Sequence, residues 1–111
     1  MPYEVILLDQ AAEFIRDLSV KLRAKALRTI ELLAQFGPRL SMPHSKKLAG
    51  HELWELRVRF GKDICRLFYF HHQGAVYVVT SGYVKKSNRT SNTEIERAVR
   101  LQRQFLKEET Q

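Results

Sequence analysis

Apolar and polar residues alternate through the middle of the chain. Between Glu52 and Phe60, Trp54, Leu56, Val58 and Phe60 are apolar, while Leu53, Glu55, Arg57 and Arg59 occupy the alternate positions. A period of two predicts a strand with one buried face, so Arg57 and Arg59 point away from the main core. Asp63 to Phe70 repeats the pattern, with Cys65, Leu67 and Tyr69 on one face and Ile64, Arg66, Phe68 and Phe70 on the other. Gly61-Lys62 between the two runs predicts a short hairpin connection. If the apolar faces align, Arg66 shares a sheet surface with Arg57. Ala75 to Val84 is rich in β-branched residues and apolar on both faces, as a central strand would be. It leads into Tyr83, Lys85 and Lys86.

The periodicity changes on either side of this block. Tyr3 to Leu8 is a short apolar run that predicts a strand joining the sheet, and Asp9 after it predicts a helix N-cap. Apolar residues at 11, 14, 15, 18, 22, 26, 27, 30, 33 and 34 keep helical spacing as far as Phe36, where Gly37-Pro38 stops the helix. Ser19 predicts a break and a second cap, hence a helical hairpin with a short arm to Leu18 and a longer one from about Val20. This region reads as core and scaffold, without chemistry of its own. Pro38 to Gly50 reads as a connecting loop that carries Lys46 and Lys47 to the Arg57 strand, and Ser87 to Thr90 as another. Ser91 and Glu94 have the form of a capping box ahead of a final amphipathic helix to about Lys107. The predicted fold class is α+β, in a single domain spanning residues 1–111.

Composition narrows the setting. A chain of 111 residues is long enough to bury about two thirds of its unfolded surface without staples. Its single cysteine, Cys65, lies within a strand and predicts a small buried apolar residue in a reducing compartment. The N-terminus lacks a basic, then long apolar, leader, and no apolar run reaches membrane-spanning length. The expected location is the cytoplasm, with no membrane partner. Charge is more informative. Residues 1 to 38 carry five bases and five acids, and residues 91 to 111 carry four of each. Residues 39 to 90 carry ten bases against Glu52, Glu55 and Asp63, which accounts for the whole net charge of +7. A basic excess interleaved with aromatics suits a phosphate-bearing partner, although a solvated basic surface would have the same composition.

Metal-free RNA cleavage needs a base for the ribose 2′-hydroxyl, cations for the charge on the phosphate and a donor for the leaving 5′-oxygen. Arg57 and Arg66 on adjacent strands suit the second task, because a planar guanidinium grips two phosphate oxygens. Their alternative is pairing with Glu55 or Asp63. Lys85 and Lys86 alternate in direction, so at most one faces that site while the other meets backbone phosphates. A lysine crowded by cations has a lowered pKa and can exchange protons; a solvated pair of charges is the competing reading. Tyr83 can stack on a base or donate a proton, or serve as an ordinary core aromatic. His71 and His72 adjoin Gln73-Gly74 in an expected turn and point opposite ways, so they make no metal pair. His51 opens the Arg57 strand with a suitable pKa for acid-base work, but reads better as a solvated loop residue. His44 follows Pro43 in the loop and has no assigned role.

Taken together, Lys47-Leu48, Leu53-Trp54-Glu55-Leu56-Arg57, Arg66 in a strand ending Phe68-Tyr69-Phe70, Gly82-Tyr83-Val84-Lys85-Lys86 and Glu94-Ile95-Glu96-Arg97-Ala98 resemble the phage Gp49-like branch of HigB toxins within the RelE/ParE superfamily. The resemblance covers most of the chain. It implies a RelE-like fold, with the N-terminal strand and helical hairpin packed on a curved, mainly antiparallel sheet and a C-terminal helix. It also implies the toxin of a type II toxin-antitoxin system, a metal-independent, cofactor-free endoribonuclease that cleaves mRNA on the ribosome. A small helix-turn-helix (HigA-like) antitoxin would be its partner. Family roles carry over only at Lys47, Arg57, Arg66, Tyr83, Lys85 and Lys86. Cys65 stands where the family often has an aromatic before the strand arginine. The expected catalytic set is Arg57, Arg66, Lys85 and Tyr83, and the expected RNA- or ribosome-binding set is Lys46, Lys47, Arg59, Lys62, Lys86 and Arg89. The alternatives are a ParE-like inhibitor of DNA gyrase, which needs no catalytic residues, and a non-catalytic RNA-binding regulatory module.

Overall fold

A computed structural model describes residues 2–86 and 90–110. The chain is α+β. Its elements are β1 (Glu4–Leu7), α1 (Asp9–Arg16), α2 (Val20–Phe36), β2 (Ser45–Lys47), β3 (Trp54–Phe60), β4 (Asp63–Gln73), β5 (Val76–Val84) and α3 (Asn92–Glu109), with a 3-10 turn at Gly37–Arg39. The five strands form one sheet in the order β1-β5-β4-β3-β2, in which β1 runs parallel to β5 and every other pairing is antiparallel.

Two apolar layers hold the sheet. On one face Ala11, Ile15, Leu22, Ala26 and Leu33 of the helical hairpin pack on Leu56, Val58, Cys65, Leu67 and Val79. On the other, Ala98 of α3 packs with Leu53, Phe68, Phe70 and Val78. The alternation in β3 and β4 therefore separates the faces as its period demands. Gly61, at φ +63°, supplies the left-handed residue of the hairpin that joins them. Ser19 caps α2, its Oγ accepting from the Leu22 amide at 3.3 Å. Gly37 ends that helix with φ +52°.

The structure corrects several local expectations. Asp9 is the first helical residue, and the cap position is Leu8, with no side-chain bond. The Pro38 to Gly50 stretch contains an edge strand, β2, which pairs Ser45, Lys46 and Lys47 with Leu56, Glu55 and Trp54. Lys46 and Lys47 consequently point to opposite faces. β4 runs on to Gln73, so His71 and His72 are strand residues rather than turn residues. Ser91 caps α3 by position but without a side-chain bond, and Glu94 pairs with Arg97 at 3.0 Å instead of reaching back. Leu27, which fits the helical spacing, is exposed. The expected loop at Ser87 to Thr90 falls, but for Thr90, outside the described residues.

A bulge matters most for the site. Phe68 pairs with Ser81 but Tyr69 pairs with Val79, leaving Thr80 as an extra residue in β5. Without it, Tyr83 would share the face of Tyr77 and Val79, under the helical hairpin. With it, Tyr83 turns to the face of Phe68 and Arg66. Gly82 takes the opposite face, where a Cβ would come within 2.5 Å of the Phe14 ring and 2.7 Å of Leu67. Only glycine lets α1 approach the sheet this closely.

Candidate functional site

Cross-strand register assembles the site in two rows. Arg57, Arg66 and Tyr83 stand directly opposite one another on β3, β4 and β5. One step along, on the same face, Lys46, Glu55, Phe68 and Ser81 form a second row. Arg66 is 5% exposed and Arg57 partly exposed, so the pair presents one seated and one accessible guanidinium. Among the described residues, no carboxylate lies within ion-pair distance of either. Among the described residues, Arg66 Nη1 donates one long bond, to the Cys65 carbonyl at 3.4 Å. Arg57 Nη1 donates to Met42 Sδ at 3.3 Å, and its backbone N–H donates to the His44 carbonyl at 2.8 Å, which ties the preceding loop to the site.

Glu55, which its sequence position offers as a partner for an arginine, makes no ion pair with one among the described residues. It is 5% exposed, and its Oε2 accepts from Tyr83 Oη at 3.2 Å and from Thr90 Oγ1 at 3.0 Å. The Tyr83 ring stacks on Phe68, with centroids 5.6 Å apart and 18° between planes. Tyr83 is thus held from two sides. Its pKa is raised, first by burial, so the phenol stays protonated and keeps donating. The signal for Glu55 was present in its period-two spacing from Arg57; its burial and its two donors are contacts across 28 and 35 residues.

Burial, then the neighbouring Arg57, lowers the Arg66 pKa, while Glu55 opposes the shift. Lys85, just past β5, has its backbone N–H on the Ile64 carbonyl at 2.9 Å. Its pKa is lowered by burial first and then by Arg66, with Arg57 and Lys46 adding to the effect and Glu55 working against it. The ammonium form is therefore less favoured than in a solvated lysine. Cys65 behind Arg66 is fully buried, and burial pushes its thiol up to about 12, so it is an inert core residue.

The remaining candidates are dispersed. Arg59 is exposed and lines a cleft of about 370 Å³ with Lys25, Pro43, His44, Arg57 and Arg66. Lys47 lies on the other face, its Nζ 5.5 Å from the Trp54 ring centroid and 3.5 Å from Glu52. Lys62 is at the exposed hairpin tip. Lys86 lines a hollow with Tyr83, Glu94 and Arg97, which adjoins the site at Tyr83 but includes neither Arg57 nor Arg66. Arg89 lies outside the described residues. His51 faces α3 beside Arg100 and Arg103, His71 bonds the Gly74 carbonyl and His72 packs on Phe105. A second cavity of about 390 Å³, under the opposite face, is lined by Tyr3, Trp54, Tyr69 and Tyr77 and by no lysine, arginine or carboxylate. No helix among the described residues is long and apolar enough to cross a membrane.

This arrangement of sheet, hairpin and terminal helix is that of the RelE toxins. A mutant of the E. coli toxin RelE with two arginines replaced by alanine, in the free state, matches with a TM-score of 0.66 at 20% identity, over 90% of this chain and 97% of that one. The toxin of the intact E. coli RelBE toxin-antitoxin complex matches at 0.57 and 21% identity, over 78% and 99%. An archaeal RelE-RelB complex from Pyrococcus horikoshii OT3 matches at 0.58 and 22% identity, over 81% and 100%. At these identities the likeness is one of fold. No curated protein matches the chain in sequence. Residues 13–103 match the model of the family described as Phage derived protein Gp49-like (DUF891), and the chain belongs to that family.

Proposed function

We propose that the protein is the toxin of a toxin-antitoxin pair and cuts mRNA on the ribosome without a metal. The observation that carries this reading is the direct opposition of Arg57 and Arg66, with neither in an ion pair among the described residues. Two cations facing each other across a strand pair repel, and an incoming phosphate relieves that repulsion.

Arg66, seated, and Arg57, accessible, hold the non-bridging oxygens of the scissile phosphate. Lys85 in its amine form takes the proton of the 2′-hydroxyl. The 2′-oxygen attacks phosphorus and the bond to the 5′-oxygen breaks, leaving a 2′,3′-cyclic phosphate and a 5′-oxygen that takes a proton from water. Glu55 and Tyr83 are positioning residues: the carboxylate fixes the phenol and balances the cations beside it. Lys46 and Arg59 continue the basic surface along the RNA. The RelE-fold proteins named above as complexes are bound to RelB, which supports an antitoxin partner of the same kind here, and a helix-turn-helix protein of the HigA type is the expected one.

The test is 5′-end mapping of a reporter transcript after induction, beside the same transcript with its start codon destroyed. Cuts confined to the translated transcript and lost in Arg66→Ala are expected. Cuts in both transcripts would make the protein a free ribonuclease. Growth arrest without cuts would favour gyrase inhibition, and RNA binding with neither cuts nor arrest a regulatory module.

A further inference from the structure

The outward face of α2 carries more than a scaffold requires. Its inward face is Leu22, Ala26, Thr29 and Leu33, all buried. At 3.6 residues per turn, Val20, Ala24 and Leu27 fall on the opposite side. There Val20 is 72% and Leu27 45% exposed. Beside this stripe Lys21, Lys25 and Arg28 follow at i, i+4 and i+7 and make one cationic ridge. Four bases of α2, Arg23 included, stand against the single acid Glu31. The ridge leads into the candidate site, because Lys25 lines the cleft with His44, Arg57, Arg59 and Arg66.

Two more exposed apolar side chains lie near, one beside α2 and one against a cleft residue. Phe60 lies 5.6 Å from Lys21 Nζ, and Met42 touches Arg57. Four of the six large apolar side chains exposed among the described residues therefore gather along α2 and its cleft. RNA would use the ridge but has no use for the apolar stripe. A segment with apolar residues down one side and carboxylates along its flank matches both.

We propose that this face docks an acidic amphipathic helix of a partner protein. Its apolar side chains cover Val20, Ala24 and Leu27, its carboxylates meet Lys21, Lys25 and Arg28, and one carboxylate reaches the cleft at Arg57 and Arg59, where it excludes phosphate. The identity of that partner as an antitoxin rests on the toxin reading; the binding chemistry rests on the surface alone.

The probe is a synthetic helical peptide with leucine at i, i+3, i+4 and i+7 and glutamate on the flanks, beside a scrambled peptide of the same composition and a short single-stranded RNA, each titrated calorimetrically. The amphipathic peptide should bind at least about tenfold tighter than the scrambled one and displace the RNA. Leu27→Asn and Val20→Asn, each checked for folding by circular dichroism, should weaken the peptide several-fold, about tenfold together, and leave RNA affinity within about twofold, since neither changes the charge of the ridge. Absence of peptide binding, equal binding of the scrambled peptide, or peptide affinity unmoved by both substitutions would overturn the proposal. So would an equal loss of RNA and peptide affinity in these variants, which would mark a nucleic-acid face. Peptide titration requires no cleavage: a protein that binds the peptide but cuts no transcript refutes the nuclease and keeps the docking face, and the reverse result does the opposite.

Discussion

Arg57 and Arg66 face each other, which disfavours the Arg66 charge, and Glu55 works against that shift ahead of Tyr83 and Cys65. The carboxylate sits one row away on the same face, buried, and is bonded to Tyr83 and Thr90. Glu55→Gln keeps the shape but removes the charge, and should cost about 1–3 kcal/mol of stability in a denaturant titration. Arg57→Ala removes the repulsion instead. It should abolish cleavage while leaving stability unchanged or raised by up to about 1 kcal/mol; a strongly destabilised Arg57→Ala protein would show that the arginine is structural. Lys85 makes the pH dependence specific. In the proposed mechanism its amine form is the reactive one, so single-turnover cleavage should rise with pH and level off above its pKa. Burial and Arg66 hold that pKa below the ordinary lysine value, so the plateau should come early. Lys85→Arg should erase the rising limb, and an unchanged limb would assign the proton transfer elsewhere.

At the scale of elements, β5 decides the geometry. Its extra residue, Thr80, turns Tyr83 to the arginine face, and Gly82 beside it admits α1 to the sheet. Gly82→Ala places a methyl group against Phe14 and Leu67 and should cost about 1–3 kcal/mol, read as a lower urea midpoint with an unchanged slope. The effect belongs to packing, since Gly82 has no left-handed backbone. β2 shows the same dependence on neighbours. Read alone, Pro38 to Gly50 has the proline and glycine content of a loop, yet Ser45–Lys47 forms a strand because β3 offers an edge to pair with. The capping expectations divide in the same way. Ser19 bonds the Leu22 amide as its spacing implies, whereas Ser91 and Glu94 have the right spacing but Glu94 is taken by Arg97.

Over the whole molecule, charge is sorted by face rather than by sequence region. Lys46 stands on the arginine face and Lys47 on the other, although they are adjacent in the chain. RNA binding should follow that division. In a titration against salt, Arg57→Ala should flatten the slope of log affinity by about 0.7, the share of one phosphate contact on a single strand, while Lys47→Ala leaves it unchanged. The hairpin makes a related point. Residues 1 to 38 sum to zero charge because Glu4, Asp9, Glu13 and Asp17, with only Arg16 among them, precede a helix that carries four bases against Glu31. The average conceals a basic ridge, which becomes visible only when α2 is set on the sheet.

Strands β1, β3, β4 and β5, the helical hairpin and the shared face of Arg57 and Arg66 were legible in the sequence alone, because periods of 2 and 3.6 and the cap at Ser19 are properties of neighbouring residues, whereas the edge strand β2 was not. The Gp49-like resemblance was legible for the same reason, its motifs being short and local. Tertiary structure alone decided that Thr80 bulges and carries Tyr83 across the sheet, that Glu55 is buried and bonded to Tyr83 and Thr90, that burial lowers the Lys85 pKa, and that Leu27 faces outward. Each of these depends on register or burial between segments far apart in the chain. An alternating pattern reads the same on either face of a sheet until its partner strand fixes which one is covered.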